Sequence, residues 1–490
     1  NGVPEPGRRK RTCCTDLWER DASMAATPEV TAQPAPDAAP PEALYAKLRP
    51  GPPGPARTSG EVALNQKARL IGSMTQIVSE RGYDAVTVRG LAQLAGVSTR
   101  TVYEHFDSKD ACLLAVLDSA IQCAAARAVE GGGDRGHDEL RLLLGSLATA
   151  LERKPQLGRV VLVEALAAGS AALRKLRSAE RAFEGLIRDG FESEPEGPAV
   201  PPLVLEGIVA GLVGIARSRL LDGREQELPE FVDALVDEWM LSFQSEAAGM
   251  LKQPDLRVYP GRSPLGGAIS PAEANEQAPG DERALILSAV AKLAATEGYS
   301  ELTIPRIRAV AGVSRKAFDL HFSGVRDCYV ASLDLHATHA VSSATRAYVT
   351  ARSWPEGVHR GVTALCEYIA RDPVLTTLGF VEIFSMGPEG VHTRERLVTQ
   401  VVELFHRSAP PEYRPEELVA EASVDAVWGV IHHYVVSGQA QLLPGIAPTL
   451  SYLALAPVIG ASVAVDAIRH AAIPTAETST LNRKQGRGAT

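Results

Sequence analysis

One stretch decides the fold of this chain: residues 87–106 read TVRGLAQLAGVSTRTVYEHF. Thr87 is a favourable N-cap residue, and apolar residues follow it at helical spacing as far as Ala95. Gly96 then breaks the helix, and Ser98 can cap a second one. Two short helices joined by a tight glycine turn form a helix-turn-helix (HTH), and this motif places its second helix in the major groove of DNA.

The same pattern returns 216 positions later, where residues 303–322 read TIPRIRAVAGVSRKAFDLHF. A repeat of this length indicates two domain-sized copies and excludes a solenoid, because solenoid periods are about 20 to 50 residues. An apolar helical stripe precedes each copy and ends at a glycine. The stripe residues are Leu70, Ile71, Met74, Ile77 and Val78 before Gly82, and Ile286, Leu287, Val290, Leu293 and Ala294 before Gly298.

Residues 87–106, with Asp107-Ser108-Lys109 after them, resemble the DNA-binding signature of the tetracycline repressor (TetR) family. The resemblance implies an all-α chain of two tandem TetR-like units. Each unit would contain an N-terminal three-helix HTH domain and a helical ligand-binding and dimerisation domain.

The predicted domain organisation follows from these two copies and from composition. Stretches rich in Pro, Gly and Ala predict disordered tails and a flexible linker. The predicted boundaries are a tail at 1–58, a first HTH domain at 59–120, a first helical domain at 121–247, a linker at 248–278, a second HTH domain at 279–340, a second helical domain at 341–470 and a tail at 471–490.

The resemblance also implies which side chains meet DNA. In the first copy, Ser98, Thr99, Arg100 and Thr101 would approach base edges or phosphates, Tyr103 and His105 the sugar-phosphate backbone, and Thr87 and Lys109 would clamp phosphates. The corresponding candidates in the second copy are Thr303, Ser314, Arg315, Lys316 and His321. Simple packing of Tyr103 and His105 against the first helix, which ends at Gly82, and solvation of Arg100 and Lys109 remain the alternatives.

The second copy departs from the signature because Asp319 replaces Tyr103 and Val325 replaces Lys109. An anion next to phosphate is unfavourable. One hypothesis is that Arg315 and Lys316 still hold DNA, with outward-facing Ala317 or Leu320 against thymine methyl groups. The other is that this helix has become a protein contact surface.

The rest of each copy predicts helices without catalytic chemistry. By the resemblance, the helices Val204–Leu221 with Phe231–Phe243, and Ala422–Ser437 with Leu450–Ile468, would form a four-helix interface. Such an interface would make either an intrachain pseudo-dimer or a homodimer, and small residues such as Ala210, Gly211 and Gly214 would allow close helix approach. A small apolar ligand of unknown identity is expected in the helical cores.

Composition narrows the class of protein. A net charge of −9 disfavours a protein that coats nucleic acid non-specifically. The six cysteines show neither a disulfide framework nor a C-x-x-C metal-binding spacing, which fits a reducing cytoplasm. The start of the sequence does not read as an export signal. The apolar run Leu442–Val465 is interrupted by prolines, so buried helices are favoured over a membrane span.

An enzyme is the main competing class, and no catalytic, cofactor or metal site is predicted. Residues 131–136, GGGDRG, satisfy the spacing of a dinucleotide-binding loop, but they join two helical patterns without a preceding strand. His336 with His339, and the adjacent His432 and His433, lack a third ligand placed by the sequence. Ordinary helix histidines are the favoured interpretation.

Overall fold

The computed structural model describes residues 59–130, 137–193, 197–251, 281–371 and 373–471. These residues form helices and short connections, and they include no β-strand. The chain divides into two compact units, residues 1–193 and 194–490. The predicted tails up to 58 and from 472, most of the predicted linker and the glycine-rich segment 131–136 lie outside the described residues.

The first unit contains seven helices among its described residues. They are α1 Ser59–Arg81, α2 Val88–Ala95, α3 Thr99–His105, α4 Lys109–Glu130, α5 His137–Arg153, α6 Pro155–Leu162 and α7 Ser170–Glu192. We call α1 to α3 the first head. The head shares one apolar core with α4, α6 and the start of α7, because Leu157, Val160 and Ala172 belong to the same cluster of buried side chains as Leu70 and Leu91.

The described part of the second unit begins with α8 Pro202–Asp222, which continues into a helical segment of mixed type. That segment, here the mixed helix, comprises 3-10 turns at Glu225–Phe231, α-helix at Val232–Ala234, π-helix at Leu235–Trp239 and 3-10 turns at Met240–Phe243. The later helices are α9 Glu282–Glu297, α10 Ile304–Ala311, α11 Arg315–His321, α12 Val325–Tyr348, α13 Trp354–Arg371, α14 Pro373–Phe380, α15 Pro388–Ser408, α16 Glu417–Val436, α17 Leu443–Ile459 and α18 Ala461–Ala471. We call α9 to α11 the second head.

The predicted apolar stripes of α1 and α9 are buried along their full length. All five stripe residues of each helix have a relative exposure of 9% or less. Gly82 and Gly298, which follow the two helices, have φ angles of 80° and 94°. Because residues with a Cβ rarely adopt such angles, glycine ends both helices where the sequence pattern predicts.

Helices α8 and α16 pack against each other in antiparallel orientation within the second unit. Arg219, near the end of α8, donates two hydrogen bonds of 2.8 Å to the carboxylate of Glu421 near the start of α16. At the opposite end, Glu206 contacts His433. Helices α8 and α16 are thus packed together within the second unit, which begins at residue 194.

Small residues allow the two helices to approach closely. A Cβ built on Gly211 would lie 2.7 Å from the carbonyl oxygen of Ala422 and 2.5 Å from the ring of Trp239, and one built on Gly214 would overlap Asp425. Ala210 in turn lies where a Cβ on Gly429 would be. The prediction that Ala210, Gly211 and Gly214 permit close approach is confirmed.

The predicted single helix Leu450–Ile468 is wrong, because the chain forms two helices, α17 and α18, with a break at Gly460. Gly460 has a φ of 82°, which interrupts the helical backbone. Within the described residues, the segment Ala440–Ile459 is long and apolar enough to cross a membrane, and 61% of its most apolar 18-residue stretch is buried inside the protein. Such burial is typical of the core helix of a bundle and favours the interpretation as buried helices.

Candidate nucleic-acid interface

The helix-turn-helix of the first head forms as the sequence pattern predicts. Helix α2 ends at Gly96, which adopts the left-handed conformation with a φ of 63°. Val102 on α3 and Phe106 directly after it are buried in the core of the head. With this inner face buried, α3 exposes Thr99, Arg100, Tyr103 and Glu104 to solvent.

Two hydroxyl groups begin the helices of this motif. The Oγ1 of Thr87 accepts a hydrogen bond of 3.0 Å from the backbone N–H of Gly90, and the Oγ of Ser98 accepts one of 3.0 Å from the N–H of Thr101. Both residues are exposed. Since a hydroxyl that accepts one bond still has a proton to donate, Thr87 can also donate to a phosphate oxygen. The Oγ of Ser98 also lies 2.9 Å from the Oγ1 of Thr101, so one of these two hydroxyls donates to the other and the other keeps its proton for a phosphate.

The outer face of α3 carries the predicted base-reading side chains. Thr99 is exposed, the Arg100 side chain is 89% exposed, and Tyr103 is 58% exposed. Arg100 pairs with Glu104 one turn later at 3.1 Å. Because an exposed ion pair of this kind is worth only about 0.3 to 0.5 kcal/mol, the guanidinium can leave Glu104 for a guanine edge at little cost.

His105 and Lys109, two other predicted contacts, are engaged within the protein. His105 Nε2 lies 3.1 Å from Oε1 of Gln66 on α1, and partial burial, together with the charge of Lys67, lowers the pKa of the imidazole. A neutral ring at this position offers a hydrogen bond and not a charge. Lys109 Nζ lies over the ring of Tyr83, 4.4 Å from its centroid. Because a cation–π contact of this kind is weak, Lys109 can give it up for a phosphate contact.

The second head repeats the backbone of the motif. Gly312 is left-handed with a φ of 70°, and the Oγ of Ser314 accepts a hydrogen bond of 3.0 Å from the N–H of Ala317. Unlike Thr87, Thr303 makes no side-chain hydrogen bond that caps its helix. Pro305 removes one of the free N–H groups of the first turn, which reduces the need for a cap.

The outer face of α11 differs from the sequence-based expectation at one position. Ala317 was expected to face outward but is buried, with 6% exposure, beside Phe318 in the head's core. Leu320 does face outward and is 76% exposed. Arg315 is held by Asp319 at 2.8 Å, whereas Lys316 is exposed and His321 contacts the ring of Phe322.

The sequence pattern did not reveal two residues of the first head that attach α1 to the helix-turn-helix. Arg69 and Gln66 lie on α1, and their side chains hydrogen-bond to the turn and to the end of α3, respectively. Both are polar residues beside the apolar stripe of α1, which is a weak signal. Their partners lie 26 to 39 residues away in sequence and depend on how α1 packs.

The histidines considered as metal ligands do not assemble a site in the described residues, where no group of three or more His, Cys, Asp or Glu side chains could hold an ion. His433 contacts Glu206, and the ring of His432 packs against Phe384. The segment 131–136 lies outside the described residues, and it is preceded by helix α4 and not by a strand.

Comparison with protein families identifies the first head. Residues 75–116 match the model of the bacterial regulatory proteins of the TetR family. The matched range includes the end of α1, all of α2 and α3, and the start of α4. These residues are therefore similar to the DNA-binding domain of the TetR family.

Several relatives share the description "HTH-type transcriptional repressor KstR". The protein of Mycolicibacterium smegmatis is 31% identical over 100 residues, which cover 20% of this chain and 48% of the relative. That of Rhodococcus jostii is 29% identical over 108 residues, covering 21% and 51%. That of Mycobacterium tuberculosis is 26% identical over 130 residues, covering 26% and 59%.

The chain thus spans about half the length of the curated relatives it matches. A crystal structure of a TetR transcriptional regulator from a Rhodococcus species aligns with 36% of this chain and 98% of its own, at 20% identity and a TM-score of 0.27. The matching family and the curated relatives are transcription regulators by their descriptions.

Proposed function

We propose that this TetR-family regulator is a sequence-specific DNA-binding transcriptional repressor with two heads in one chain. The single observation that carries the proposal is the outer face of α3, where Thr99, Arg100 and Tyr103 are exposed on a helix whose inner face is buried. The repressor relatives support the direction of the effect on transcription.

The experiment compares two arginine substitutions in the first unit. Duplexes selected by the full chain from a random pool are titrated by fluorescence anisotropy with the wild-type protein, Arg100→Ala and Arg188→Ala. Arg188 is an exposed arginine on α7, outside the first head, so its loss changes the net charge equally. Arg100→Ala is expected to weaken binding by about 1 to 3 kcal/mol, because a bidentate base contact is lost. Equal effects of both substitutions would contradict base reading by α3.

Pairing of the two repeats within one chain is the second part of the proposal. The closely packed helices α8 and α16 come from corresponding regions of the two repeats, and Trp239 of the mixed helix donates a hydrogen bond of 3.1 Å to Ser423 of α16. These contacts support an intrachain pseudo-dimer, in which one chain supplies both halves of the interface that two subunits supply in a homodimer. Each chain would then carry both heads to an asymmetric operator in the cytoplasm.

A small apolar ligand in the helical cores would regulate this binding. The support is the fold alone, because bundles of this kind build their ligand sites between helices. We expect such a ligand to change operator affinity by about 1 to 3 kcal/mol. Thermal-shift screening of apolar compounds, followed by operator release for each hit, tests the proposal, and hits that never alter release would contradict it.

An adaptor function for the second head is the alternative, and two observations favour it. Leu320 is 76% exposed on α11, and the exposed carboxylate of Asp319 places an anion on the face that would meet DNA phosphates. The substitution Asp319→Tyr frees Arg315 and restores the residue of the first head. Tighter binding to the selected duplex would support DNA reading by the second head, whereas unchanged binding would support the adaptor.

A further inference from the structure

Arg69 of α1 reaches across the first head to the turn of the HTH. Its Nε donates a hydrogen bond of 2.7 Å to the carbonyl oxygen of Ala95, and its Nη2 donates to the same oxygen and, at 2.6 Å, to that of Gly96. Carbonyl groups at the end of a helix lack partners within it, and they carry the negative end of the helix dipole. A guanidinium therefore stabilises the end of α2 and fixes the turn that leads into α3.

Gln66, three residues earlier on the same face of α1, contacts the other end of the recognition helix. Its Oε1 lies 3.1 Å from Nε2 of His105, the last residue of α3. The turn before α3 and the last residue of α3 are thus both attached to α1. Two attachments restrict the tilt and rotation of a seven-residue helix more than packing of Val102 alone.

The second head lacks both side chains. At the repeat offset, Leu285 takes the place of Arg69, and Glu282 takes the place of Gln66. Leu285 is 49% exposed and has no group that can bond to the carbonyl oxygens of Ala311 and Gly312. In this head, α11 is held by the apolar packing of Ala317 and Phe318 and by its cap at Ser314. Arg283 of α9 also lies over the ring of Phe322, directly after α11, at 5.7 Å from its centroid, but Leu285 supplies no hydrogen bond to the turn at Gly312.

We propose that Arg69 and Gln66 are positioning residues that preorganise α3 for base reading, and that the first head is consequently the more selective of the two. The inference rests on the proposed function, because it assigns the discriminating part of DNA recognition to one head. Positioned side chains discriminate bases by geometry, whereas phosphate contacts tolerate any sequence. Loss of the contacts that Arg69 and Gln66 make should therefore reduce base selectivity more than it reduces general affinity for DNA.

The test measures two ratios for the full chain. The first is the affinity for the selected duplex divided by that for its single-base variants, and the second is the affinity for the selected duplex divided by that for a random duplex. Affinities for the selected duplex, for single-base variants of each half-site and for a random duplex are measured for the wild-type protein and for Arg69→Leu, which introduces the residue of the second head. We expect affinity for the selected duplex to fall by about tenfold to a hundredfold, the range for misplaced base contacts. Affinity for the random duplex is expected to stay within about twofold, since phosphate contacts are retained.

Matched variants separate positioning from folding. Arg81→Leu makes the same chemical change at an exposed site at the end of α1 and is expected to bind like the wild type. If Arg69→Leu does not fold, as judged by circular dichroism, Gln66→Leu supplies the same two ratios. Arg69→Lys should restore part of the selectivity, because a lysine can still donate to one of the two carbonyl oxygens.

The reciprocal substitution Leu285→Arg is expected to increase discrimination among variants of the second half-site. Unchanged selectivity in Arg69→Leu or in Leu285→Arg would overturn the inference, as would equal losses for selected and random duplexes. A wild-type protein that binds no duplex selectively would contradict the proposed function itself, and the two failures are thereby distinguished.

Discussion

The buried carboxyl group of Glu164 lies directly after α6, at the base of the first head. The residue is 7% exposed, and among the described residues its Oε2 has no hydrogen-bond partner. Burial raises the pKa of this carboxyl to about 7, and the charge of Asp84 contributes in the same direction. In the second unit, Glu382 instead accepts a hydrogen bond of 2.8 Å from the N–H of Tyr299, at the junction of the second head.

The raised pKa of Glu164 predicts a pH-dependent stability. Between pH 4.5 and about 7 the folded state holds a proton that the unfolded state has lost, so the free energy of unfolding falls as pH rises through this window. Glu164→Gln is therefore expected to be more stable than the wild type above pH 7, by about 1 to 3 kcal/mol. Urea unfolding at several pH values measures this difference.

The control for this prediction is Glu152→Gln, which removes an exposed carboxylate from α5. Its stability should follow that of the wild type across the window. A Glu164→Gln profile that runs parallel to the wild-type profile between pH 4.5 and 7 would contradict the assigned pKa.

At the scale of single elements, α8 is defined by glycines that face α16. A helix-interior glycine normally destabilises its helix relative to alanine, by about 0.5 to 1 kcal/mol. Gly211→Ala is nevertheless expected to destabilise the protein by about 1 to 3 kcal/mol, because the new methyl group would overlap the backbone of Ala422. Denaturant unfolding compares the two proteins.

Gly145 in α5 supplies the opposite case. A Cβ built there meets no atom within 4 Å, so Gly145→Ala should stabilise the protein by about 0.5 to 1 kcal/mol. If both alanine substitutions changed stability in the same direction, close packing of α8 against α16 would not be the reason for its glycines.

Sequence patterns were most informative for the local elements. The stripe of α1, the break at Gly96 and the cap at Ser98 are each determined within a few residues, and each was predicted correctly. The burial of Ala317 depends on the rotation of a short helix, and the break at Gly460 was hidden in a continuous apolar run.

Contacts between distant residues could not be predicted in the same way. The bond from Arg69 to Ala95 spans 26 positions, and the pair of Arg219 and Glu421 spans 202. The type of a charged side chain determines which groups it can bond to, but its actual partner depends on how the helices pack. The sequence therefore indicated which helix presents the exposed face that we propose reads DNA, but it did not indicate how that helix is held.

On the scale of the whole molecule, the ion pair of Arg219 and Glu421 tests whether one chain closes its own interface. The two side chains are 8% and 15% exposed. Removing one partner of such a pair leaves a buried charge, so Arg219→Ala is expected to cost about 3 kcal/mol. Arg224, which is 50% exposed and pairs with Glu227 at 2.7 Å, is the control, and Arg224→Ala should cost less than about 1 kcal/mol.

Concentration distinguishes the two kinds of interface. If the interface lies within one chain, the unfolding midpoints of the wild type and of Arg219→Ala are independent of protein concentration. An interface between two chains would instead make both midpoints rise with concentration, by mass action. Unfolding across a wide range of protein concentrations therefore decides between the intrachain pseudo-dimer and the homodimer.

The most direct test of the central claim, that α3 reads DNA from a chain that carries both heads, is the stoichiometry and footprint of the protein on its selected duplex. Sedimentation velocity combined with hydroxyl-radical footprinting gives both quantities. We expect one chain of 52.0 kDa per duplex, protecting two half-sites of different sequence about 34 Å apart. Absence of protection, or two chains on a perfect inverted repeat, would contradict it.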